Sequence, residues 1–146
     1  MPMPEQPAPP GALSGYLEAL ARVMFQSGIS WRVVDAKWPG IRDAFAGFEP
    51  ERVASLTAAD VDRLLQDPRI IRNRRKVEAL VGNARTMLEL DAAPGGFARY
   101  LDGLGDFAAT SRELRRRFAF LGESGTWFFL WLVGRPVPAH EHAPPA

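Results

Sequence analysis

The chain has 146 residues, 47% of them hydrophobic and 24% charged, with 18 basic side chains against 17 acidic and no cysteine. A chain this long buries roughly two-thirds of its unfolded surface in one core without disulfides or a structural metal, and the absence of thiols excludes cysteine nucleophiles, ligands and cross-links. The net charge of +1 argues against a uniformly basic nucleic-acid binder, and the longest apolar run, Trp127 to Val133, falls far short of the ~20 residues of a membrane span.

Nine of the 13 prolines fall in residues 1–10 and 136–146, which predicts disordered proline-rich tails around one domain spanning residues 11–135. The N-terminus has no basic start followed by an apolar stretch, so a cytoplasmic protein is expected. Within the body no run alternates with period two, while helical spacing recurs throughout. Leu13, Tyr16, Leu17, Leu20, Ala21, Met24 and Phe25 form the apolar stripe of a first helix that ends near Gly28. Ser30 caps a second helix from Trp31 to Ala36, and Pro39 sits at the start of a third carrying Ile41, Ala44, Phe45 and Phe48. Pro50 opens a short helical turn. Thr57 and Asp60 form a variant capping box for a helix that stops before Pro68.

A long helix from Asn73 to Leu90 follows, with Val77, Leu80, Val81, Ala84, Met87 and Leu88 on one face. Pro94-Gly95-Gly96 breaks it, Phe97 to Leu101 is a short amphipathic piece, and Thr110-Ser111-Arg112-Glu113 reads as a capping box for an arginine-rich helix. The last helix, Thr126 to Val133, is apolar all round and is expected at the centre, with Trp127 and Trp131, like Trp38 earlier in the chain, in the core. The class is all-α, with seven to nine helices and no internal repeat.

Catalytic constellations of the usual kinds are missing. The only histidines, His140 and His142, flank Glu141 in the C-terminal tail, where an exposed polar cluster is the expected reading over a metal site. No phosphate loop or dinucleotide fingerprint occurs. Instead, nine of the 18 basic residues lie in two windows: Arg69, Arg72, Arg74, Arg75 and Lys76, then Arg112, Arg115, Arg116 and Arg117. The first surrounds a tight turn between two helices. A helix N-terminus offers free N–H groups and partial positive charge, so a phosphate docks there beside flanking Arg and Lys. Solvated helix faces remain the alternative for both windows.

Several segments in fixed order now carry a resemblance. Gln26-Ser27-Gly28-Ile29-Ser30-Trp31, Arg42-Asp43-Ala44-Phe45, Phe48-Glu49-Pro50, the Asp60 to Gln66 helix, Ile70 to Lys76, Gly82-Asn83-Ala84-Arg85 and Phe118 to Gly122 closely resemble the DNA-3-methyladenine glycosylase I family, within the helix-hairpin-helix DNA glycosylases. The resemblance implies an enzyme that binds duplex DNA, flips out an alkylated adenine and cleaves its N-glycosidic bond by water attack. Its pocket tryptophan falls on Trp31, and its wedge segment on Gly28, Ile29 and Ser30, with Ile29 filling the gap in the stack. Its backbone-binding hairpin falls on Asp67 to Val77, which brings in Arg69, Arg72, Asn73, Arg74, Arg75 and Lys76; Arg69 and Arg75 stand where the family has glycine.

Other positions depart further from the family. Its base-recognising glutamate falls on Val23, and Tyr16 is an aromatic of the first helix without an aligned counterpart; both stand as base-pocket positions. In the wider superfamily a carboxylate that stabilises the sugar cation follows a glycine turn and helix, the region of Glu141. The family's zinc site uses cysteines this chain lacks, so no metal is expected, and no cofactor beyond a hairpin-bound monovalent cation. Lys37 and Lys76 match no strand-cleaving motif. The implied partner is double-stranded DNA containing alkylated bases, met by a monomer without a membrane role. A noncatalytic DNA-binding module and a protein-interaction domain of the same fold stay open as alternatives.

Overall fold

Apolar side chains at helical spacing leave each element one face to bury, and the faces close around a single hydrophobic helix near the C-terminus. The computed structural model describes residues 5–139. Among them are eight α-helices and no strand: α1 (Leu13–Gln26), α2 (Trp31–Ala44), α3 (Pro50–Ala54), α4 (Ala58–Leu64), α5 (Arg74–Asp91), α6 (Gly96–Asp102), α7 (Phe107–Arg117) and α8 (Glu123–Leu132), with a 3-10 turn at 46–48. From Thr126 to Trp131 every residue of α8 is buried, so this helix is central. Helix α1 packs on both α5 and α8, α7 lies against α8, and α5 carries α3 and α6. No described helix is long and apolar enough to cross a membrane.

Helix ends follow the capping residues. Thr57 Oγ1 accepts from the Asp60 N–H at 3.1 Å while Asp60 accepts from the Thr57 N–H at 2.8 Å, which completes the reciprocal box ahead of α4. Asn73 caps α5 by accepting from the Lys76 N–H at 3.2 Å. Trp38, Trp127 and Trp131 are all buried.

Two expectations need correction. Residues 31–44 form one helix rather than two, with Pro39 inside it. Proline cannot donate to the Asp35 carbonyl and costs about 3 kcal/mol within a helix. Val34, Trp38 and Ile41 nevertheless share one buried face across it, and burying Trp38 and Ile41 at about 2 kcal/mol or more each offsets that cost. Helix α7 begins at Phe107, four residues before Ser111, because Asp106 supplies the cap by accepting from the Ala109 N–H at 2.9 Å. Thr110 and Ser111 are therefore buried interior residues rather than a capping box.

The described residues that flank the helices touch the body at two places. Gln6 Nε2 donates to the carbonyls of Trp131 (3.1 Å) and Arg135 (2.8 Å), and Trp127 Nε1 donates to the Pro138 carbonyl at 3.1 Å. The Trp131 carbonyl at the end of α8 already accepts from the Gly134 N–H at 3.1 Å, and the Gln6 amide from near the other end of the chain adds a second bond to it.

Candidate base-binding site

The segment between α1 and α2 is built from four residues with separate tasks. Gly28 takes φ 79°, a left-handed conformation that lets the chain reverse without a Cβ penalty. The Ile29 N–H donates to the Gln26 carbonyl at 2.8 Å, and the Gln26 amide returns a bond to the Ile29 carbonyl at 3.3 Å. Ser30 Oγ accepts from the Arg32 N–H at 3.2 Å and starts α2, as its position before Trp31 predicts. Ile29 is half-buried against the core, between exposed Gly28 and Ser30.

Lys76 holds this segment from beneath. Its side chain is buried, and Nζ donates to the Ser27 carbonyl at 2.6 Å, joining the first turn of α5 to the C-terminal end of α1. An ammonium there also meets the negative end of the α1 dipole. Burial lowers its pKa from the usual lysine value, and among the described residues it forms no ion pair. Lys76 thus faces the protein interior, in contrast to its expected place on a backbone-binding surface.

A cavity of about 390 Å³ opens beside Gly28, within the ~300–1,000 Å³ span usual for small-molecule sites. Val23 and Gln26 of α1 line one side; Phe120, Gly122 to Gly125 and Phe128 line the other. Val23 does reach the cavity, where it packs so closely on Gly125 that a Cβ there would lie 3.0 Å from Val23 Cγ1. Glu123, in the first turn of α8, is the one carboxylate in this lining, and sequence reasoning missed it. The signal was present as the only acid within the Gly122-to-Gly125 turn, but which way the turn faced was not legible.

Trp31 stands beside this lining rather than within it. Its ring meets Phe128 edge to face, with centroids 5.1 Å apart, and Phe128 in turn meets Trp127 at 5.4 Å. The Arg22 guanidinium lies 5.9 Å from the Trp31 centroid and 5.1 Å from that of Trp38, and pairs with Asp35. Tyr16 is in the core, edge to face with Phe97 at 5.2 Å, and is not among the residues lining the cavity. As an aromatic at a core position of the first-helix stripe, Tyr16 is buried by packing. A larger cavity, about 570 Å³, lies by α6, α7 and residues 135–138, and none of the expected site residues lines it.

The turn from α4 to α5 divides its basic residues. The Asp67 carboxylate accepts from the Arg69 N–H at 2.8 Å and pairs with the Arg69 guanidinium at 2.7 Å, which holds its own pKa below the usual carboxylate range. Arg74 pairs with Asp62 at 2.7 Å and with Glu78 at 3.5 Å. Arg69 and Arg74 thus come with internal counter-charges. Arg72 and Arg75 are exposed and form no ion pair among the described residues. These two, with the α5 N-terminus capped by Asn73, are the part of the turn free to meet an anion.

Glu141 lies outside the described residues, as do His140 and His142. The donor set does not fit the expected family's zinc: the chain has no cysteine, and among the described residues no three His, Asp or Glu side chains gather as a metal group.

Known proteins resemble this chain in sequence and in fold. The methyladenine glycosylase family model matches residues 14–134. A DNA-3-methyladenine glycosylase from Haemophilus influenzae is 30% identical over 130 residues, covering 75% of this chain and 70% of that protein. DNA-3-methyladenine glycosylase 1 of Escherichia coli is 44% identical over 66 residues, 45% of this chain and 35% of that one. A crystal structure of a 3-methyladenine DNA glycosylase I superposes with a TM-score of 0.76 at 29% identity, covering 89% of this chain and 83% of the other. The Staphylococcus aureus enzyme, solved to explain 3-methyladenine recognition, gives 0.75 at 28% identity over 94% and 86% of the two chains. Since the match runs from the first turn of α1 to the residue that ends the turn after α8, and takes in both walls of the cavity, the chain belongs to the methyladenine glycosylase family.

Proposed function

We propose that this protein removes alkylated purines such as 3-methyladenine from duplex DNA, flipping the damaged base into the cavity beside Gly28 and hydrolysing its N-glycosidic bond. The observation that carries the reading is the joining of that cavity, with its aromatic wall and single carboxylate, to an exposed basic turn through the Lys76 bond to Ser27. Arg72, Arg75 and the α5 N-terminus grip the DNA backbone, and Ile29 fills the space the base vacates. Phe128, backed by Trp31, offers a π-face to the extruded base.

The chemistry asks little of the protein. Alkylation at N3 makes the base cationic, so it departs with the bonding electron pair as a neutral molecule, leaving positive charge on the sugar that water then quenches. An aromatic wall and the Glu123 carboxylate favour a cationic base over its neutral parent. Neither lysine is set up to attack the sugar: Lys37 Nζ donates to the Pro68 carbonyl at 3.3 Å and Lys76 is committed to Ser27. That supports hydrolysis by water without strand cleavage.

Free-base release from methylated duplex DNA, resolved by chromatography, tests the reading. The wild-type protein is expected to release 3-methyladenine. Losing aromatic contact costs ~1–3 kcal/mol per base, so Phe128→Ala should slow release about 10- to 100-fold with little change in nonspecific duplex binding, while Trp31→Ala, which removes the ring behind Phe128, and Glu123→Gln should each slow it to a smaller extent. Salt-sensitive binding without any release would instead identify a noncatalytic module; release unchanged in Phe128→Ala would remove this pocket from consideration.

A further inference from the structure

Only two large apolar side chains are exposed among the described residues, Val33 at 45% and Phe120 at 40%. Val33 lies on the outer side of α2, where a solitary exposed valine needs no explanation. Phe120 is different on three counts: it lines the base cavity, it sits in the turn between α7 and α8, and its backbone takes φ 60°. A bulky residue in the left-handed region is strained and persists only where its surroundings impose the conformation.

The surroundings that impose it are visible. Asn83 of α5, itself buried, clamps Ala119 from both sides, donating to its carbonyl at 3.0 Å and accepting from its N–H at 2.9 Å. Phe118 is anchored inward, edge to face with Phe97 at 6.3 Å. With residue 118 buried and residue 119 tied down, the chain turns Phe120 outward onto the cavity. Glycine or asparagine would make such a turn without strain. The space beside the ring is also open: a Cβ built on Gly28 or on Gly122, both in the same lining, meets nothing within 4 Å.

We infer that Phe120 is the outer aromatic wall of the base site, stacking on the extruded purine at the cavity mouth. Phe128 serves the other wall. The inference rests on the glycosylase reading above and names a base-contacting residue for it. A planar cationic purine is the ligand this ring suits, because a cation is drawn to an aromatic face and a purine presents a flat one.

Four full-length variants separate the ring from the strain: Phe120→Trp, Phe120→Leu, Phe120→Ala and Phe120→Gly. Base release from methylated duplex, calorimetric binding of free 3-methyladenine and thermal melting are measured for each. Tryptophan, which keeps a π-face, should come closest to the wild type; leucine, apolar but without a π-face, should fall well below it; alanine and glycine should lose about 10- to 100-fold in both release and free-base affinity. Glycine should nonetheless melt about 3–6 °C above alanine, the reverse of their usual order, since it relieves the left-handed backbone. Release at the wild-type rate by the leucine or alanine variant would overturn the proposal. So would free-base affinity that survives while duplex affinity falls, which would put the ring on the duplex. Glycine melting below alanine would also overturn it, by removing the strained turn. A wild-type protein that neither binds nor releases the base refutes the glycosylase reading itself, whereas wild-type release undiminished by Phe120→Ala refutes only the stacking role.

Discussion

Two arginine-rich stretches look alike in the sequence and differ in the structure. In the turn ahead of α5, Arg72 and Arg75 are exposed and unpaired among the described residues, while Arg69 and Arg74 hold acids of the same turn and its helices. On α7, Arg116 pairs with Glu113 at 2.7 Å, Arg115 donates to the Ser111 carbonyl at 3.3 Å, and Arg117 is only partly exposed. Glu113 also accepts from the Tyr100 hydroxyl at 3.2 Å; burial, with the Glu113 charge behind it, pushes the Tyr100 pKa up to about 12. The first stretch surrounds the N-terminus of α5, the helix end that favours an anion, whereas Arg115, Arg116 and Arg117 stand in the last turn of α7, the end that favours cations. Counting charges does not separate the two stretches; the helix end at which they stand does.

The largest expected effect comes from Lys76, the basic residue of the turn that points inward. Lys76→Met keeps the aliphatic stem and deletes the ammonium. A misplacement of ~1 Å in a positioned segment can cost about 100-fold in rate, so kcat/KM should fall on that order while the melting temperature drops only a few degrees. A variant with normal kcat/KM would show that the Ser27 bond serves packing alone. Next is a paired comparison of duplex binding across salt concentrations. Each phosphate contact contributes ~0.9 to the slope of log affinity against log salt, so Arg72→Ala with Arg75→Ala should reduce it by about 2. Arg115→Ala with Arg116→Ala should change it by less than about 0.5; equal effects would abolish the distinction between the stretches.

The smallest effect is local. Removing the Glu113 charge by Glu113→Gln should bring the Tyr100 pKa down toward its ordinary value of 10.0, as read by ultraviolet titration. Because the folded value is raised, the Tyr100 contribution to stability is fully present below pH 10.0 and is lost as pH rises toward about 12. The variant should therefore show a shallower loss of stability across that window, with base release unchanged.

Most of the fold was legible because apolar spacing and caps are local. Ser30, Thr57 and Asn73 each begin the helix their side chains predict, and the all-apolar Trp127 to Val133 segment lies in the core. Pro39 misled because its local preference for a helix start gave way to the buried face shared by Val34, Trp38 and Ile41. At the site, the α1–α2 segment was readable as a motif, but three features depend on contacts 36 to 102 residues apart in the chain: the grip of Lys76 on Ser27, the clamp of Asn83 on Ala119, and the meeting of Val23 with Gly125 and Glu123. No periodicity reports which way a surface lysine or a turn phenylalanine faces once distant segments close around it.

The bond from Lys76 to Ser27 has a mechanical consequence for the substrate. With α5 and the end of α1 joined at 2.6 Å, the turn that would meet the backbone and the residue that would enter the stack are held to one another. On the proposed reading, a pair held in this way resists bending to follow an undistorted duplex, so the deformation would fall on the DNA, whose resistance depends on how well the local bases are stacked. Damage that has already loosened its own stack yields first, and the protein's rigidity becomes a filter applied before any group touches the base.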